Sequence, residues 1–128
     1  MAIRIVQLGK SRTAGEGLRI GTVRRPPRGV PKSEYASRDF YDVWLPNLAP
    51  SERLLKEGPS SKDAAGWRSF VRRYRAEMKH PENSRVIDVL AALSHHTNFS
   101  VGCYCSDEQR CHRSVLRELL AECGASLL

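Results

Sequence analysis

Three of the four cysteines, Cys103, Cys105 and Cys111, fall within nine residues, and His112 and Arg113 follow directly in the run FSVGCYCSDEQRCHRS. Thiols, an imidazole and a guanidinium gathered in this way support four kinds of chemistry. A thiolate is a nucleophile and a redox group, made more available by a helix N-terminus and nearby cations such as Arg110 and Arg113. Cysteine and histidine together are zinc ligands. Arginine grips a phosphate or carboxylate bidentately, and histidine donates a hydrogen bond or moves a proton near neutral pH. The plainest alternative is packing: His112 stands three and four residues before Val115 and Leu116, and a free cysteine behaves as a small apolar group.

The four readings draw on the same residues unequally. A metal would take Cys103, Cys105, Cys111 and His112. Its spacing, C-x-C-x5-C-H, is not a usual zinc pattern, and neighbours on a helix diverge by about a hundred degrees, which sets Cys111 against His112. The sequence reading therefore assigns no metal and no cofactor. A redox or sulfur-transfer centre would use Cys105 or a Cys105–Cys111 pair. Cys105 to Arg110 has the C-x4-R form found in rhodanese-like sulfurtransferases, but Asp107 and Glu108 inside it would repel an oxyanion. An anion pocket absorbs most features, because a helix N-terminus adds N–H donors and partial positive charge to Arg113 and His112. Its candidate anion-binding residues are Arg28, His112 and Arg113, and the candidate catalytic residues are Cys105, Cys111 and His112.

These groups need elements to hold them. AIRIVQLG reads as a buried strand and LRIGTVRR, residues 18–25, as a second, ended by Pro26-Pro27. YDVWLP is a third apolar run. Ser33 can cap a turn or short helix, and Ser51 a short helix through Lys56. The spacing of Trp67, Phe70, Val71, Tyr74 and Met78 predicts an amphipathic helix over 63–79, stopped by Pro81. A second helix is predicted from Ser84 with Val86, Val89, Leu90 and Leu93 inward and His95 and His96 at its end. FSVGCYC reads as one continuous strand, with Cys103 and Cys105 on the same face. The last helix starts near Asp107, through a Ser106/Gln109 capping box, or close to Cys111. It carries Val115, Leu116, Leu119, Leu120 and Cys123 and ends at Gly124. Strands at both ends of the chain with helices between predict an α/β fold: a three-layer single domain over residues 1–128, with a mainly parallel central sheet flanked by helices.

Composition narrows the partners. Hydrophobic residues make up 41% and charged residues 27% of 128 positions, as in an ordinary globular chain. No apolar run is long enough to span a bilayer, and MAIRIVQLGK lacks a secretion signal, so a cytoplasmic setting with reduced thiols and no membrane partner is expected. The net charge of +7 points to an anionic partner, a small anionic ligand first of all. Nucleic acid is the second candidate, through the stripe Arg68, Arg72, Arg75 and Lys79 joined by Arg24, Arg25 and Arg28, although no recognition motif accompanies it.

The strand ending in Cys103 followed by Cys111-His112-Arg113 resembles the uncharacterised domain family 488 (DUF488), closest to its YeaO-like branch. Pro27-Arg28-Gly29-Val30, Trp44, Leu48-Ala49-Pro50-Ser51 and the helix bearing Trp67, Phe70, Tyr74 and Glu77 match it too, so the likeness runs from about Leu18 onward. It implies a single α/β domain and no established activity. Three positions depart from the family pattern. Val23-Arg24-Arg25-Pro26 lacks an acid and an aromatic, Lys56–Gly66 lacks an aromatic and a histidine, and Cys105 replaces a frequent glutamate.

Overall fold

A computed structural model of the chain describes residues 1–57 and 63–128. Residues 58–62, within the Lys56–Gly66 stretch that departs from the family pattern, lie outside the described residues. Four strands, β1 (Ile3–Gln7), β2 (Leu18–Gly21), β3 (Val43–Trp44) and β4 (Phe99–Cys103), form one parallel sheet in the order β1-β4-β2-β3. The helices are α1 (Glu52–Glu57), α2 (Ala64–Met78), α3 (Pro81–Leu93) and α4 (His112–Glu122). The α/β architecture with a parallel central sheet is the one expected. Because β4 lies between β1 and β2, with Gln7 beside Cys103 and Gly21 beside Gly102, the C-terminal ends of three strands meet at one edge.

The two faces of the sheet are covered differently. On one, Ile3, Ile20, Phe99 and Val101 pack with Phe70, Tyr74 and Met78 of α2, Ile87 and Leu90 of α3, and Val115, Leu116 and Leu120 of α4. The other face carries Arg19 and Ser100, register neighbours on β2 and β4. It lies under the connection that follows β1: Glu16 reaches both residues, and the Lys10 and Asp39 carbonyls reach Arg19. Strand β1 approaches the central strand closely. A Cβ on Gly102 would sit 2.6 Å from the Val6 carbonyl oxygen, so only glycine fits there.

Local chemistry explains most element ends. Asp63 accepts from the Gly66 amide at 2.6 Å and starts α2 where the periodicity predicts. The Ser51 hydroxyl accepts from the Leu54 amide and starts α1. Pro81 ends α2 but is also the first residue of α3, a position where its missing N–H costs nothing. That helix therefore begins three residues before the expected Ser84, and its inward face is Ile87, Leu90 and Ala91. Val89 and Leu93, expected inward, are 57% and 43% exposed. Strand β2 stops at Gly21, short of the expected Arg25. No helix among the described residues is long and apolar enough to cross a membrane.

Candidate functional site

The cysteine-rich run is broken into three short pieces that fold back on one another. Strand β4 ends at Cys103 rather than continuing to Cys105. Tyr104 turns the chain there, its hydroxyl donating to the Arg25 carbonyl at 2.9 Å, and Arg113 Nη2 donates to the Cys105 carbonyl at 2.6 Å. Asp107, not the Ser106/Gln109 pair, caps the 3-10 turn Glu108–Arg110 by accepting from the Gln109 amide. Cys111 follows in extended conformation (φ −125°, ψ 146°) as the residue before α4, so the later of the two expected helix starts is the observed one.

That extended residue changes the geometry of the whole cluster. The divergence expected between Cys111 and His112 requires both to be helical, and only His112 is. Cys111 Sγ lies 3.7 Å from His112 Nδ1. The thiols of Cys103, Cys105 and Cys111 lie close enough to shift one another's titration. Cys103 and Cys111 are buried and Cys105 is exposed. Hydrogen bonds from Cys103 and Cys111 lower the pKa of Cys105 against the cost of burial, with Arg113 adding favourable charge. The same bond to Cys105 raises Cys103. Negative charge in the trio is thereby drawn to the one accessible sulfur.

His112 is buried, yet it is not walled in by aliphatic groups. Its Nε2 faces the Thr22 carbonyl at 2.7 Å, and the ring edge meets Tyr74 at 5.6 Å between centroids. A carbonyl only accepts, so Nε2 carries the proton. Burial holds the pKa of His112 down to about 4, against the upward pull of the Thr22 bond, and the neutral ring turns a bare Nδ1 toward the thiols. Two fixed partners hold this arrangement. Thr22 is anchored by its amide and hydroxyl to the Gly102 carbonyl, and Tyr74 by its hydroxyl to the Leu48 carbonyl.

Cys103, Cys105, Cys111 and His112 line a cavity of about 220 Å³ together with apolar Val23, Pro50, Leu55, Phe70 and Tyr104 and basic Arg24 and Arg25. The expected arginines are placed differently. Arg113 is only 4% exposed and braces the Cys105 loop from outside this lining, with its Nε buried and without a partner among the described residues. Arg28 is exposed and does not line the cavity. Arg24 and Arg25, read in the sequence only as part of a basic surface, stand in its wall. Arg24 is tied to the Pro46, Ala49 and Pro50 carbonyls, and Arg25 makes a loose pair with Glu52 at 3.3 Å. Their position just past the end of β2, next to β4, is the signal that would have found them once the strand order was known.

The basic stripe of α2 is interrupted. Arg68, Arg72 and Lys79 are exposed, but Arg75 is paired with Glu118 and Glu122 of α4, each at 2.8 Å. Cys123 is exposed near the end of α4, away from the other three cysteines.

A family model described as the active DUF488-N3 subclade matches residues 3–124. No curated protein and no solved structure matches the chain significantly.

Proposed function

The chain belongs to the DUF488 family, and from that premise we propose that it binds a small molecule with an apolar body and an anionic group in the cavity beside the cysteines. One observation carries this reading: the exposed thiol of Cys105, the buried pair Cys103 and Cys111, and His112 share a single cavity wall with Arg24 and Arg25. The apolar lining accepts the body of the ligand, and the two guanidinium groups face its charge. At about 220 Å³ the space is below the roughly 300–1,000 Å³ of drug-sized sites, which favours a compact ligand. Cys105 is the sulfur that meets the ligand, with Arg113 fixing the loop that presents it. Arg113 thus serves as a positioning residue, and the anion is held by Arg24 and Arg25.

The test is a thermal-shift series of small carboxylates and phosphate monoesters graded by the size of the apolar part, run at low and high salt. A compact aromatic or branched anion should raise Tm more than inorganic phosphate does. Arg25→Gln should weaken that shift several-fold, and Leu55→Trp, which fills the cavity without changing charge, should abolish it. A shift that survives Leu55→Trp would place the ligand elsewhere and defeat the proposal.

A further inference from the structure

The floor of this cavity has the donor set of a metal site. One ligand atom each from Cys103, Cys111 and His112 lie within 4.8 Å of one another, and all three residues are buried. The imidazole nitrogen involved is fixed by its partner: Nε2–H is spent on the Thr22 carbonyl, so Nδ1 is free and faces Cys111 Sγ at 3.7 Å. With metal–sulfur bonds near 2.3 Å and metal–nitrogen bonds near 2.0–2.1 Å, the donors of a tetrahedral zinc ion stand roughly 3.5–3.8 Å apart. The Cys111–His112 pair already meets that spacing. Cys103, within 4.8 Å of both, needs to close by roughly 1.0–1.3 Å at most.

The surroundings agree. A metal-bound histidine commonly donates its other ring N–H to a backbone carbonyl, which sets its tautomer and orientation. Thr22 does this, and both its amide and its hydroxyl are held by the Gly102 carbonyl at 2.9 and 3.0 Å. Buried thiols in an apolar core are otherwise inert. Here two of them converge with an imidazole at the sheet edge where open α/β folds place their ligands. All three donors also line the cavity, so an ion among them borders the space in which the small molecule would sit.

We infer that Cys103 Sγ, Cys111 Sγ and His112 Nδ1 bind one thiophilic divalent cation, zinc first, and that its fourth position faces the cavity. Binding releases the two thiol protons to solvent, and the dianionic sulfur pair balances the charge of the ion. Cys105 stands beside the open position, where it or an exogenous anion completes the coordination. The metal does not depend on the ligand reading. Cobalt spectra report the ion, and the thermal shifts of the metal-free chain report the ligand.

The experiment titrates the intact, fully reduced chain with Co2+ and then displaces it with Zn2+. One equivalent should produce sulfur-to-cobalt charge-transfer bands and intense visible bands of a four-coordinate ion. Cys105→Ser and Cys123→Ser should retain them. Cys111→Ser and His112→Gln should lose affinity by more than the roughly 10–100-fold that removal of an outer partner costs. Azide should perturb the visible bands of the Cys105→Ser cobalt protein. Should the buried variants fail to fold, the unaltered chain still answers: Zn2+ should protect Cys103 and Cys111, but not Cys123, from alkylation. Absent bands together with absent protection would overturn the metal site. Binding undiminished in a folded His112→Gln protein would overturn the ligand set. Bands lost in Cys105→Ser, or indifferent to azide, would overturn the open position.

Discussion

Arg19 and Arg113 are both buried arginines, at 1% and 4% exposure, and the chain treats them in opposite ways. Arg19 has every guanidinium nitrogen engaged: Nε and Nη2 bond Glu16, and Nη1 bonds the Lys10 and Asp39 carbonyls. Glu16 in turn accepts from Ser100 and the Thr13 amide. Among the described residues Arg113 faces no carboxylate. It holds the Cys105 carbonyl with one nitrogen and keeps Nε buried without a partner. A satisfied network fixes a fold, whereas an unsatisfied buried cation is tolerated where something besides stability selects it. The contrast separates the structural face of the sheet, where Arg19 ties the long connection down, from the edge that carries the site.

The sharpest test of that contrast is to remove each cation. Arg19→Met strands the Glu16 carboxylate in the interior and should cost about 3–5 kcal/mol in urea unfolding, the range for breaking a buried pair from one side. Arg113→Met loses one hydrogen bond but also removes an unpartnered polar group, and should cost about 1 kcal/mol. Equal losses would erase the distinction.

Acid sharpens the same comparison through one group. Burial alone would raise the pKa of Glu16, but hydrogen bonds from Arg19, Ser100 and the Thr13 amide outweigh it and hold the carboxyl at about 2, against 4.5 as the ordinary value. A lowered folded pKa stabilises above the unfolded value, so the contribution is complete above about pH 4.5 and is lost as pH falls toward 2. The shift corresponds to roughly 3 kcal/mol. Urea midpoints between pH 6 and 2.5 should fall steeply in the unaltered chain and less steeply in Glu16→Gln. Parallel curves would mean that the network does not bind the carboxylate as the geometry indicates.

How much of this was readable beforehand depends on whether a feature is written in side chains. Helix α2 was legible because Trp67, Phe70, Val71, Tyr74 and Met78 repeat at helical spacing, and Asp63 caps it by its own chemistry. The cluster Cys103, Cys105, Cys111, His112 was legible as residue types. Its geometry was not, because one extended residue at position 111 decides whether a sulfur and an imidazole diverge or meet, and no periodicity encodes a single N-cap. The Thr22 carbonyl that orients His112 has no sequence signature at all, since every residue carries one. Arg24 and Arg25 were visible but misplaced, because their nearness to Cys103 follows from the strand order. One member of that order, β3, is only two residues long. Val89 and Leu93 misled because the buried stripe runs through Ile87, Leu90, Ala91 and Ser94, and at about a hundred degrees per residue both fall on the outer flank of Leu90.

The smallest expected effect completes the comparison with a third arginine. Arg75 faces two carboxylates, Glu118 and Glu122, at 2.8 Å each, but its side chain is 30% exposed and theirs are 61% and 58% exposed. Water already solvates these charges, so neither desolvation nor a stranded partner enters the balance, and what remains is weak attraction across a high dielectric. Arg75→Ala should therefore cost about 0.5–1 kcal/mol at low salt and less at high salt, even though its hydrogen-bond geometry is nearly as good as that of Arg19. Arg19→Met should be almost insensitive to salt, because mobile ions do not reach a pair buried to 1% and 2% exposure. Urea titrations of both variants at two ionic strengths decide the matter. If the Arg75 loss matched the Arg19 loss, or if both faded equally with salt, burial would not be what gives the Glu16–Arg19 pair its weight, and the separation of structural face from functional edge would lose its physical basis.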